Sequence, residues 1–212
     1  LLMVQFLTGA WTLSQGSFFA IYLNERLAYT AVAVATMVSA GQVSGMLSGF
    51  LGGLLSDRLG SRGLLVAGVF TMAVARIVFQ VRFPPVIAVL WFFSGLGMGF
   101  ITLGGSSYLT RVADPRRLGV MSALYALSGT AGGAAGNPVA GRVLDTAGFS
   151  VYGLAGSALL VVTGLLALWL LPVLAGDRGG SRPRGNLFSM FRRPVVRLLV
   201  VWPIPRSATM SL

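Results

Sequence analysis

The sequence predicts an all-α membrane protein built around six transmembrane helices, and three observations predict it. Of the 212 residues, 55% are hydrophobic and only 10% are charged, where a soluble domain carries about a quarter charged residues. The apolar residues fall into six continuous runs, each near the roughly 20 helical residues that a bilayer core of about 30 Å requires. The charged residues lie in the short gaps between those runs. Barrel strands are excluded, because they alternate in character over about ten residues. Open strands would leave their backbone unsatisfied in lipid.

The first run, Leu1–Leu23, carries Gln5, Thr8, Thr12, Ser14 and Gln15 and has no basic start. It therefore reads as a span rather than a cleavable signal. Because the first residue is not methionine, a start upstream of Leu1 is expected. The second run, Thr30–Leu55, carries Gly41, Gly45, Gly49 and Gly53 at four-residue spacing. On a helix these stay on one face, where a neighbouring backbone can approach closely. Ordinary helix packing would use the same pattern. The third run, Gly63–Val81, holds Arg76, five residues from its outer end, and snorkelling to the interface is expected of it. The fourth, fifth and sixth runs are Val86–Leu109, Leu118–Val143 and Val151–Leu171. Residues 1–171 thus form the predicted bundle. Residues 172–194 read as a basic linker, with Ala175–Asn186 rich in Gly, Arg, Ser and Pro and Phe188–Pro194 amphipathic. Residues 195–212 begin an apolar run at Val195–Trp202 that meets Pro203 and Pro205. That is too short to span, so it reads as the cut-off start of a seventh helix and a tail.

All sixteen basic residues are arginine. Twelve flank one set of ends (Arg58, Arg62, Arg111, Arg116, Arg117 and seven beyond Leu171), against Arg26, Arg82 and Arg142 on the other. The excess assigns the first set to the cytoplasm, with both termini there and the chain in the cell (inner) membrane. The net charge of +11 does not imply nucleic acid, because the arginines sit in inter-helix gaps rather than on a soluble basic face. With no cysteine and no histidine, thiolate or imidazole metal sites and Ser-His-Asp chemistry are excluded. No catalytic residue, metal or cofactor is expected, since paired intramembrane carboxylates and a phosphate-cradling loop are also missing.

The informative gap is Gly53–Arg62. Asp57 falls at the C-terminal end of the second helix, where a carboxylate opposes the helix dipole at a cost of about 0.3–1 kcal/mol. Arg58, Arg62, the arginines after the fourth run or the N-terminus of another helix could compensate. Gly60 is the expected positive-φ residue that ends the helix. A plain inside loop would explain the arginines, but neither the acid nor the two glycines.

Gly53-x-x-x-Asp57-Arg58-x-Gly60-x-Arg62 resembles the signature of the loop between the second and third helices in the major facilitator superfamily, with Ser61 where that family usually has arginine. Arg111, Asp114, Pro115, Arg116 and Arg117 are similar to its loop after helix four. Gly132, Gly133, Gly136, Pro138 and Gly141 resemble the helix-five signature of its exporters, although Asn137 replaces the glycine before proline. Where many proton-coupled antiporters of the family have a helix-four arginine, this chain has Trp91, which cannot hold or relay charge. The resemblance implies the N-terminal half of a twelve-helix secondary transporter, with export as the favoured direction. The Asp57 turn would then act as a conformational latch, with Arg111, Asp114, Arg116 and Arg117 as partners. The implied partners are a small-molecule substrate, the lipid bilayer, and a missing C-terminal half or a second copy of the chain. A truncated product is the expected status. A faint repeat fits two inverted three-helix units: Phe6, Gly9, Tyr22 and Leu23 recur 86 residues later as Phe92, Gly95, Tyr108 and Leu109.

Polar residues at membrane depth give the cavity candidates Thr12, Gln15, Gln42, Thr102 and Asn137, with interhelical hydrogen bonding as the plainer reading. Trp11 and Trp91 fit either a cavity wall or an interface anchor. Arg142 and Asp145, three apart, are expected to pair. A non-transporting membrane scaffold with the same fold is the alternative from another class.

Overall fold

A computed structural model describes residues 1–174, and every regular element among them is helical. The expected linker and tail, from Ala175 to Leu212, lie outside the described residues. Helices α1 (Leu2–Thr12) and α2 (Gln15–Ile21) make one interrupted rod, which ends in a π-helical turn at Tyr22–Arg26. Next comes α3 (Ala31–Ala75), started by the Thr30 hydroxyl accepting from the Ala33 N–H and ended by a 3₁₀ turn at Arg76–Gln80. Helix α4 (Pro84–Val112) opens on two prolines, which suit a helix's first turn because their missing N–H has no intrahelical partner there. A 3₁₀ turn at Pro115–Arg117 then leads into α5 (Leu118–Leu170).

Helices α3, α4 and α5 are each long and apolar enough to cross a membrane. At 1.5 Å per residue, the 45 residues of α3 would span about 67 Å if straight, more than twice a bilayer core. They do not run straight. Gly60 adopts φ 71°, ψ 175°, and the neighbours reverse order across it. Before it, Gly41 lies against Trp91 and Gly52 against Leu103; after it, Leu65 lies against Gly104 and Met72 against Gly97. The two arms of α3 are therefore antiparallel. Gly148, at φ 79°, ψ 178°, does the same in α5. Before it, Gly132 and Gly136 back onto Phe6 and Ala10; after it, Tyr152 and Gly156 meet Trp11, while Leu160 and Leu171 cluster with Val4.

The gaps expected in the sequence thus shrink to single residues: Gly53–Leu59 is still helical, and helix resumes at Ser61. The combination of positive φ and extended ψ at these glycines is essentially closed to other residues. Gly60→Ala and Gly148→Ala should each lower unfolding stability in detergent micelles by about 1–3 kcal/mol. Gly119→Ala, where an added methyl meets open space, is the matched control and should change little.

Two layers hold the bundle. An aliphatic layer includes Leu65, Val69, Met72, Ile101 and Leu160. An aromatic layer includes Trp11, Phe19, Phe79, Trp91 and Tyr152. In that second layer Phe19 stacks on Trp91, and Trp11 stacks on Tyr152 with ring centroids 5.2 Å apart. The outer surface is also apolar: Met46 is 80% exposed and Trp169 83% exposed. That surface suits hydrocarbon rather than water.

Candidate functional site

A cavity of about 520 Å³ lies between the α1–α2 rod, the first arm of α3, and α4, with Met72 of the second arm at its back. The glycine stripe creates the room: Gly41, Gly45 and Gly49 all line it, and beyond Gly49 there is open space. Thr12, Gln15, Gln42 and Thr102 line it as well, together with Ser48, Trp91 and Ser94. None of the lining residues among those described is ionisable. Asn137 does not belong to this set, since it is exposed on α5 away from the cavity. Depth in the bilayer is fixed by position in the run, but the face a residue occupies depends on which helices pack beside it.

Hydrogen bonds arm the lining in a particular way. Gln15 Nε2 donates to Ser94 Oγ at 2.7 Å, bridging α2 and α4 across the cavity. The Thr12 and Thr102 hydroxyls donate to the carbonyls one turn back, Thr8 at 2.9 Å and Met98 at 3.0 Å. Trp91 is buried, and its indole Nε1, packed against Gly41, has no hydrogen-bond partner among the described residues. Trp91 is thus a cavity wall, and Trp11, also buried, is no interface anchor either.

Arg76 corrects an expectation. Instead of snorkelling outward it is fully buried at the end of α3. Its Nη2 donates to the Trp11 carbonyl at 3.1 Å, beside the interruption between α1 and α2. An arginine can snorkel only if its stem has a path to the interface; here the aromatic layer closes over it.

Around Gly60, Asp57 and Arg58 are exposed. Among the described residues no hydrogen bond or ion pair reaches the Asp57 carboxylate. Arg62 turns away to the opposite end of the bundle sequence, donating to the Leu168 carbonyl of α5. Asp114 does not reach across to Asp57's turn: its carboxylate accepts from the Arg116 N–H at 2.9 Å and caps its own loop. Arg111, Arg116 and Arg117 are exposed around it. In α5, Gly132 and Gly136 are buried against the backbone of Phe6 and Ala10. Pro138 is exposed inside the helix, and Gly141 meets open space.

A second copy of the turn escaped the offset of 86. Gly41, Gly45, Gly53, Asp57 and Gly60 recur 88 residues later as Gly129, Gly133, Gly141, Asp145 and Gly148. Gly60 and Gly148 share their backbone angles, and Gly53 and Gly141 both face open space. Asp145, like Asp57, is exposed and has no partner among the described residues, so the expected pair with Arg142 is not made. The offset of 86 has its own structural counterpart. Tyr22 OH donates to the Val81 carbonyl at 2.7 Å, and Tyr108 OH to the Pro172 carbonyl at 3.2 Å. Each tyrosine ties one helix end to the chain leaving the second arm of a hairpin.

The sequence matches the family described as the Major Facilitator Superfamily over residues 1–211. No curated protein gives a significant match.

Proposed function

We propose, starting from the fact that this chain belongs to the Major Facilitator Superfamily, that it carries a small solute through alternating access. The family is one of membrane transporters, and the long apolar helices accord with that. The observation that carries the reading is the cavity: hydroxyl, amide and indole groups from three helical elements converge on a space large enough for a small molecule. Such a site fits transport without covalent chemistry, because its groups can bind and release but not react.

In this reading the chain contributes six spans as two inverted triples, and the recurrence of the glycine turn and of the tyrosine ties supports that arrangement. The cavity works against a second six-helix body, from a C-terminal half or another copy. Both termini lie in the cytoplasm of a cell whose inner membrane holds the protein, on the count of arginines. The Gly53–Arg62 turn latches that second body through Asp57. Export is the direction favoured by the glycine and proline pattern of α5.

The test is accessibility. With cysteine introduced singly, Gln15→Cys and Thr102→Cys should react with a water-soluble maleimide in proteoliposomes, whereas Asn137→Cys should be protected by its apolar surroundings. Uniform protection of all three would leave no aqueous path and sink the transporter reading.

A further inference from the structure

Arg76 is a buried charge that no acid balances, and that imbalance says what the cavity takes. Arg76 is fully buried: one of its donors meets the Trp11 carbonyl, and the Tyr152 hydroxyl lies beside the guanidinium. Trp11 Nε1 and Trp91 Nε1 are buried without partners among the described residues. Guanidinium and indole N–H groups only donate; the Tyr152 hydroxyl beside them can accept but is no counter-ion. Ser94, which accepts from Gln15, keeps its own proton to offer into the cavity.

No acid balances the charge: Glu25, Asp57, Asp114 and Asp145, the acids among the described residues, are all exposed. Arg76 lies one helical turn beyond Met72, which forms the back of the cavity, and its partner Trp11 adjoins the lining residue Thr12. The interior therefore holds one fixed positive charge behind a wall without ionisable groups. An intramembrane arginine is costly unless an opposite charge or well-placed acceptor compensates it.

We infer that the cavity is selective for solutes bearing an anionic head, a carboxylate or a comparable oxyanion, seated at the Thr12–Gln15–Met72 end and held there by the field of Arg76. The hydroxyl of Ser94 supplies a direct hydrogen bond. Arg76 acts from behind the wall as a specificity-determining charge and touches the solute only if the Trp11–Tyr152 stack opens. This rests on the cavity being the solute site, but it adds a charge preference that transport alone does not require.

The experiment compares three probes of similar size, benzoate, benzyl alcohol and benzyltrimethylammonium, binding to the full chain in phosphatidylcholine nanodiscs. Benzoate should bind at least tenfold more tightly than the cation. Arg76→Gln should erase that ratio while still binding benzyl alcohol, which also reports that the variant is folded; Arg76→Lys should keep most of the preference. If Arg76→Gln fails to fold, the wild-type ratio and Arg76→Lys still decide. Equal binding of the three probes by the wild-type chain would overturn the inference, as would a preference that survives Arg76→Gln. Abolition of benzoate binding by added phosphatidylglycerol would assign the site to a lipid headgroup and also overturn it. Absence of flux in proteoliposomes with the charge preference intact would instead count against transport, so the two failures are separable.

Discussion

Asp57→Asn should reduce solute flux in proteoliposomes by a factor between about 5 and 150, the range of a typical coupling energy of 1–3 kcal/mol, while leaving thermal stability unchanged or slightly raised. The carboxylate stands at the C-terminal end of the first arm of α3, against the negative end of the helix dipole. It is exposed and has no partner among the described residues. A group that destabilises its own helix and holds nothing locally contributes through something outside the arm. Asp114 provides the contrast. It caps its own loop, so Asp114→Asn should cost at most about 1 kcal/mol of stability and leave flux near the wild-type rate. If Asp57→Asn lowered stability and spared flux, the turn would be an ordinary loop.

Gly136→Ala should be the most damaging single methyl in the bundle. A Cβ there would overlap the carbonyl group of Ala10, which is backbone within a helix and cannot rotate aside. The α1–α5 contact must open along its length, because Gly132 and Gly9 make only slightly less close approaches on the same seam. Overpacking of this kind costs about 1–3 kcal/mol, with rigid neighbours at the upper end. Gly49→Ala adds the same methyl into open space and should be nearly neutral. Unfolding of both variants in micelles checks the difference, and equal midpoints would contradict the close approach.

Much of this fold could be read from hydropathy, because span length is a one-dimensional property. The positive φ of Gly60 was legible too, since a helix ending in Asp-Arg-Leu-Gly needs a residue without Cβ at that place. Four cavity residues were reachable from depth alone: Thr12, Gln15, Gln42 and Thr102. Asn137 was not, because its depth in the run gives no clue to which face meets α1. Arg76 was misjudged for a related reason. Its distance from the end of its run was right, but the aromatic residues against it, Trp11 and Tyr152, come from α1 and α5. The repeat was half visible because no single offset aligns it. The first helix recurs at 86 and the second at 88, so the fourth-to-fifth connection is two residues longer than the first-to-second.

The paired turns at Gly60 and Gly148 bear on how the nascent chain is inserted. Two Gly-x-x-x-Asp-x-x-Gly turns present the insertion machinery with a choice, because by shape alone either could be kept inside. Of the ten positions from Gly53 to Arg62 only the two glycines and the acid recur, and the second turn carries an arginine of its own, Arg142, where the first has Leu54. Arg58 and Arg62 of one turn correspond, 88 residues on, to Thr146 and Ser150 of the other. Ser150 is engaged with Gln80, much as Arg62 is engaged with Leu168. The paired turns thus differ in charge as two arginines against one. By the excess of positive charge, the Gly60 turn is the one expected to stay on the synthesising side, and the Gly148 turn the one expected to cross.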